Sequence, residues 1–216
     1  MDHWRRGHKQ MCKKIHRGGN AEQYHADKKY KEAVAEAVEA CADDTKGQTC
    51  YICLESVHPH TKEGLVRGCA CQGNQGFAHV SCLVRQARTM TEDRAEQKGR
   101  LENGQLHAIT SCKLCKKHYN ADVLVALGWG CWKLYATKPE TPMYGEAMVN
   151  LAICFGRAGR EAEAVQVSDA LDQETKRLDA RKQEHLARKA EIESAQRSGG
   201  YVPKVESKKE HLDRYY

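Results

Sequence analysis

From residue 21 to residue 41 apolar side chains return every three or four places, at Tyr24, Tyr30, Val34, Ala37, Val38 and Cys41, with Lys and Glu between them. That period lays one apolar stripe along an α-helix. Asp43-Asp44-Thr45-Lys46-Gly47 then supplies a stop. The pattern predicts helices again over residues 121–136 and 143–197. Residues 48–120 show no sustained period and read as loops and short elements. The polar tail, residues 198–216, has little apolar surface to bury and is expected to be disordered.

Composition changes this picture. Leu, Ile, Val and Phe together number 34 of 216 residues, while cysteine and histidine number 11 each. One large oil-packed globule is therefore not expected. The arithmetic favours a small domain held by something other than burial, flanked by alanine-rich helices that are mostly solvated. The longest unbroken apolar run, residues 123–132, includes two glycines and is shorter than the roughly 20 residues of a bilayer span. Met1-Asp2-His3-Trp4-Arg5-Arg6 lacks the apolar stretch of a secretory signal. The expectation is a soluble intracellular protein, cytoplasmic or nuclear, in which reduced cysteines bind metal rather than form disulfides.

Charge is concentrated at one end. Arg5, Arg6, Lys9, Lys13, Lys14 and Arg17 against Asp2 account for most of the net +6. Only Trp4 stands nearby to stack on a base, so a solvated helix face is preferred to nucleic-acid contact.

The chemistry lies in residues 50–115, where ligands come in four short pairs: Cys50-x2-Cys53, Cys69-x-Cys71, His79-x2-Cys82 and Cys112-x2-Cys115. Two ligands one or two residues apart can turn back on one metal, and two such pairs complete a tetrahedral zinc site. Eight ligands imply two zinc ions with no open coordination position. Gly68, Gly73, Gly76, Ala70 and Ala78 permit tight folding around metal, and Leu54, Leu65, Val66, Phe77, Val80, Leu83 and Ile109 offer a miniature core. His58, His60 and His118 are expected at the surface, and Cys41, Cys131 and Cys154 as small buried thiols.

This register resembles the RING-CH (RING-variant) zinc finger of MARCH-type ubiquitin ligases. The resemblance rests on Gly68-Cys69-Ala70-Cys71, Phe77-Ala78-His79-Val80-Ser81-Cys82-Leu83 and Cys112-Lys113-Leu114-Cys115-Lys116. The PHD finger shares the ligand order but has two residues inside its second pair and an aromatic before the seventh ligand, where this chain has Thr110-Ser111. The resemblance implies a cross-brace, with Cys50, Cys53, His79 and Cys82 on one zinc and Cys69, Cys71, Cys112 and Cys115 on the other. It also implies contact with a ubiquitin-conjugating enzyme through Ile52 and Leu83, and a brace on ubiquitin at Lys116. Two features depart from the family pattern: Gln86 stands where tryptophan is common, and 29 residues separate Cys82 from Cys112, their charged part over 91–105 reading as a helix extension or an inserted loop.

The flanks carry further resemblances. His8 and Cys12 look like the last two ligands of a MYND finger whose upstream cysteines are absent from this sequence. Residues 144–171 are similar to a tetratricopeptide (TPR) repeat, with Asn150-Leu151-Ala152, Phe155, Gly159 and Glu163-Ala164 at matching places; an ordinary helical hairpin is the alternative. The expected fold is mostly α, with a small zinc-stabilised α+β cross-brace finger of RING-CH type and helical hairpins on either side. Its expected segments are a MYND-like remnant (1–20), an amphipathic helix and linker (21–47), the finger (48–120), a TPR-like region (121–175), a charged helix (176–197) and the tail (198–216). The implied function is ubiquitin ligation with a conjugating enzyme and a protein substrate as partners; the alternative is a non-catalytic interaction scaffold.

Overall fold

The computed structural model describes residues 21–98, 110–139 and 141–197. His8, Cys12, Ile109 and the tail 198–216 lie outside them. The chain divides into two compact units, Met1–Leu171 and Asp172–Tyr216. The first contains helix α1 (Ala21–Ala40), strands β1 (Val66–Arg67) and β2 (Phe77–Ala78), helices α2 (Val80–Lys98), α3 (Ala121–Tyr135) and α4 (Pro142–Arg157), and the opening turns of α5 (Glu161–Arg197). A 3₁₀ turn, Gly73–Gly76, leads into β2.

Helix α3 organises this unit because it is apolar nearly all round. Val123 to Gly128, Gly130 and Cys131 are all buried, as expected of a helix enclosed by others. Helix α1 faces it with Tyr30, Ala33, Val34 and Ala37, and α4 adds Leu151 and Phe155. Two glycines set how closely these helices approach. A Cβ at Gly130 would lie 2.5 Å from Val84 Cγ2 of α2 and 3.1 Å from Tyr30 Cε2 of α1; one at Gly128 would lie 3.0 Å from Leu151 Cδ1 of α4.

Local chemistry fixes the helix ends. Asn120 precedes α3 in an extended conformation, its side-chain amide donates to the Arg67 carbonyl at 2.9 Å, and its backbone N–H donates to the Gly68 carbonyl at 2.8 Å. Asp122 in the first turn and Lys133 in the last complement the dipole of α3. Helix α4 begins with Pro142 and ends before Gly159 at φ +72°. There Arg160 N–H donates to the Phe155 carbonyl at 2.9 Å and Gly159 N–H to the Gly156 carbonyl at 3.1 Å, the Schellman closure that reverses the chain into α5.

The expected mostly helical architecture holds among the described residues, where a two-stranded antiparallel sheet pairs Val66 with Ala78 and Arg67 with Phe77. The expectation of mostly solvated flanking helices fails for α3, α4 and the inner face of α1. One continuous core takes in Tyr30 and Val34 of α1, Cys50 and Cys82 of the cysteine-rich segment, Val125 and Leu127 of α3 and Leu151 of α4. Alanines, cysteines and glycines allow close approach, so few large side chains are needed to exclude water. In the second unit, α5 from Asp172 onward is almost entirely exposed. It carries surface pairs such as Arg177–Glu174 at 3.1 Å and Lys189–Glu193 at 3.9 Å, each worth a few tenths of a kcal/mol.

Candidate metal centres

The eight ligand side chains gather into two groups of four. Cys50, Cys53, His79 and Cys82 form one and Cys69, Cys71, Cys112 and Cys115 the other, with the ligand atoms of each group within 4.8 Å of one another. Sequence pairs one and three therefore meet, as do pairs two and four. The strands do much of this work: β1 and β2 bracket the loop bearing Cys69 and Cys71, and β2 delivers His79 directly to the start of α2. One turn into that helix comes Cys82.

Two of the pairs sit in the same backbone turn. Cys50 N–H donates to the Glu55 carbonyl and Leu54 N–H to the Cys50 carbonyl, at 3.0 and 2.8 Å; Cys112 and Lys117, and Lys116 and Cys112, repeat the pattern at 2.9 Å each. The residue after the second cysteine must then turn left-handed, and Leu54 and Lys116 have φ of 65° and 61°. That geometry explains why Leu54, expected in the miniature core, is instead 74% exposed. Leu65, Val66, Phe77, Val80 and Leu83 are in the core as expected.

The spacing of the side chains matches a tetrahedral metal. With metal–sulfur distances near 2.3 Å, a tetrahedron has edges of about 3.8 Å between sulfurs and about 3.6 Å between sulfur and nitrogen. Cys71 Sγ and Cys112 Sγ are 3.6 Å apart, and His79 Nδ1 lies 3.3 Å from Cys53 Sγ and 3.9 Å from Cys82 Sγ. Disulfide sulfurs would be near 2.05 Å, and all the described cysteines are free thiols. Nδ1 is the histidine nitrogen aimed at the cluster, and Nε2 is buried on the opposite side of the ring.

Electrostatics point the same way. Burial opposes a thiolate at Cys50, yet the backbone N–H groups of Cys53, His79 and Ile52 outweigh it and hold its pKa below the ordinary thiol value. The Lys117 N–H brings Cys115 down to about 7. Burial pushes Cys69, Cys71 and Cys82 up and His79 down. One thiol in each group is thus predisposed to ionise, Cys69, Cys71 and Cys82 need a cation before they can, and His79 is held in the neutral form that ligates metal.

A third copy of the turn went unrecognised in the sequence. His58 N–H donates to the Glu63 carbonyl and Lys62 N–H to the His58 carbonyl, both at 3.0 Å, with Lys62 at φ 60°. Here Thr61 replaces the second ligand: its N–H donates to His58 Nδ1 at 3.1 Å, and its hydroxyl lies 2.9 Å from the same atom. His58 is therefore only 8% exposed, its ring 5.3 Å from that of His79, rather than at the surface as expected. The spacing His58-x2-Thr61, the same as Cys50-x2-Cys53, is the sequence signal for this turn. His60 and His118 are exposed, and Cys41, Cys131 and Cys154 are buried.

Glu63 couples this segment to the helices. Its carboxylate accepts from Ser81 N–H at the start of α2 at 2.9 Å and from the Tyr30 hydroxyl of α1 at 3.2 Å. Gln86, in place of the familiar tryptophan, accepts from the Tyr51 hydroxyl at 3.2 Å. Of the three residues expected to meet a conjugating enzyme, Lys116 is exposed and Ile52 half-buried. Leu83, at 6% exposure, packs inward from α2 as part of the core.

These two interleaved four-ligand groups define a protein of zinc-finger-compatible type, in which either group could hold a metal ion. No protein-family model, curated protein or solved structure matches the chain. Among the described residues no helix is long and apolar enough to cross a membrane.

Proposed function

We propose that the chain binds two zinc ions in a RING-CH-type cross-brace and acts as a ubiquitin-protein ligase. The observation that carries this reading is the interleaving: pair one meets pair three and pair two meets pair four. Three thiols with a histidine, and four thiols, are donor sets suited to zinc, and a full set of four protein ligands leaves no place for a metal-bound water. Such metals build a surface and do no chemistry. The ligase would act by holding a ubiquitin-charged conjugating enzyme and its acceptor together, which is catalysis by positioning.

In this reading Ile52, with the exposed Leu54 and Val57 beyond it, provides the apolar contact for the conjugating enzyme, and Lys116 braces ubiquitin. The α4–α5 hairpin, as a single TPR-like unit, presents a substrate or partner. The segment containing His8 and Cys12 resembles the final helix of a MYND finger. One observation favours the alternative of a non-catalytic scaffold: Leu83 is buried and Gln86 is engaged with Tyr51, so the contact surface on α2 is smaller than a RING-CH ligase would offer.

The test is autoubiquitination across a panel of conjugating enzymes, with metal content measured on the same protein. Ubiquitin chains from the wild type, lost in both Ile52→Ala and Cys69→Ser, with two zinc ions retained in Ile52→Ala, support the ligase. Two zinc ions per chain without ubiquitin transfer by any enzyme would leave the scaffold.

A further inference from the structure

A cleft of about 490 Å³ lies in the first unit between α1 and the opening turns of α5. Its floor includes Trp129 and Trp132 of α3 and Leu151 and Phe155 of α4, and its rims carry Glu32 and Glu36 on one side and Glu163 on the other. The two rim cations are already engaged. Lys29 is held by Glu32 at 3.4 Å and Arg160 by Glu163 at 2.7 Å. Arg160 also shows how this cleft accommodates positive charge: its guanidinium lies 5.0 Å from the Phe155 ring centroid, with Glu36 of the facing rim at 3.8 Å.

Away from Arg160, the half-buried indoles of Trp129 and Trp132 line the same floor. Their ring contacts with Phe155 and Tyr144 are edge-on, at 6.1 and 4.7 Å between centroids. Indole is the strongest side-chain acceptor of cation–π contacts. Glu32 is matched by Lys28 at 3.7 Å and by Lys29, while Glu36 and Glu163 share Arg160, so the acidic excess of the rim lies at Glu36 and Glu163. We propose that the cleft docks a segment of a partner protein that carries a large apolar anchor beside an arginine or lysine.

The volume falls within the range of about 300–1,000 Å³ typical of ligand sites and accepts two or three large side chains. An apolar anchor displaces water from the half-buried indoles and Val167, and burial of such an anchor dominates docking energy. The adjacent cation then meets indole and carboxylate together, as Arg160 already does. An acidic segment would instead face the rim carboxylates. The inference does not depend on the metal or on ubiquitin transfer, because none of these groups is a proposed metal ligand.

The experiment is fluorescence anisotropy on the full, zinc-supplemented chain. The probe is a fluorescein-labelled peptide with two leucines one helical turn apart, each followed by arginine. Its counterparts carry glutamate for arginine, or serine for leucine. The expected result is saturable binding of the first peptide and at least about tenfold weaker binding of both counterparts, equivalent to about 1.4 kcal/mol or more. Ala170→Trp, which fills the cleft from an exposed position, and Glu36→Lys, which reverses an exposed rim charge, should each weaken binding at least about tenfold with circular dichroism unchanged. Equal binding of the glutamate peptide, no saturable binding by any peptide, or indifference to both substitutions overturns the proposal. A dimer in sedimentation that Ala170→Trp abolishes would assign the cleft to a second copy of the chain and overturn it as well.

Discussion

The contact at Gly130 should couple helix packing to metal retention, and two alanine substitutions isolate that coupling. In Gly130→Ala the new methyl would lie 2.5 Å from Val84 Cγ2 and 3.1 Å from the Tyr30 ring, against a comfortable carbon–carbon separation of about 3.5–4.0 Å. Neither neighbour is the free end of a long chain: Val84 is 7% exposed and Tyr30 5%. Overpacking of this kind costs about 1–3 kcal/mol. Replacing a helical glycine by alanine also returns up to about 1 kcal/mol of backbone propensity, which would blur the result if Gly130→Ala were measured alone. Gly156 supplies the control, since it lies in α4 and a Cβ there meets nothing within 4 Å. Subtracting one alanine substitution from the other removes most of the propensity term and leaves the packing cost.

The expected outcome is that Gly130→Ala is less stable than Gly156→Ala by about 1–3 kcal/mol, read from urea unfolding followed by tryptophan fluorescence, with Trp129 and Trp132 as reporters within α3. For a unit of this size each kcal/mol corresponds to roughly 2–4 °C in melting temperature. Val84 lies on the same helix as Cys82, so Gly130→Ala should also speed zinc release to a chromogenic chelator. Equal stability of the two variants, with equal rates of zinc release, would refute the packing argument.

Three further outcomes follow from the geometry. A strong chelator should unfold residues 50–82 and 110–119, seen as loss of ellipticity and as new protease cleavage there, because Cys50, Cys71, Cys82 and Cys112 are buried residues as well as candidate ligands; unchanged cleavage would mean that metal does not hold the segment. Burial, then Glu63, raises the Tyr30 phenol above its ordinary value of 10.0. A group with a raised folded pKa contributes its full stability below the unfolded value and loses it above, so stability should fall as pH rises past about 10, and Tyr30→Phe should flatten that slope in denaturant midpoints. Leu54→Gly should stabilise the fold by about 0.5–1 kcal/mol, since glycine relieves the left-handed backbone at φ 65° yet gains entropy in the unfolded chain. If ubiquitin transfer falls while stability rises, the exposed leucine serves contact rather than folding.

The ligand groups were legible in the sequence because metal chemistry fixes residue type and local spacing together. Cys50-x2-Cys53 can be recognised without knowing what surrounds it, and helix α1 was equally readable from its period. The continuous core was not, because counting large aliphatics misses what Ala33, Ala37, Ala126, Cys41 and Cys131 do when glycine lets helices close on them. Leu54 and Leu83 show the same limit from opposite sides. Hydrophobicity placed Leu54 inside and the family likeness placed Leu83 at a contact surface, but backbone handedness turns the first outward and the helix face of α2 turns the second inward. The turn at His58 escaped notice because a histidine–threonine hydrogen bond performs there what a ligand pair performs at Cys50.

The shortage of large apolar residues and the abundance of thiols therefore have one physical explanation. Cys50 and Cys82 belong both to a ligand group and to the helical core, and Glu63 joins α1 to the first turn of α2 through Tyr30 and Ser81. Tyr51 N–H donates to the Phe77 carbonyl at 3.0 Å, holding the first ligand turn against β2. A metal at that group would close loops between residues far apart in sequence and remove the entropy they have in the unfolded chain. In a protein with ample core that contribution would be secondary. Here alanine and cysteine supply nine of the 22 residues of the core cluster, and each buries little area, so metal release should unfold helix α2 together with the loops and disturb its contact with α3 at Gly130.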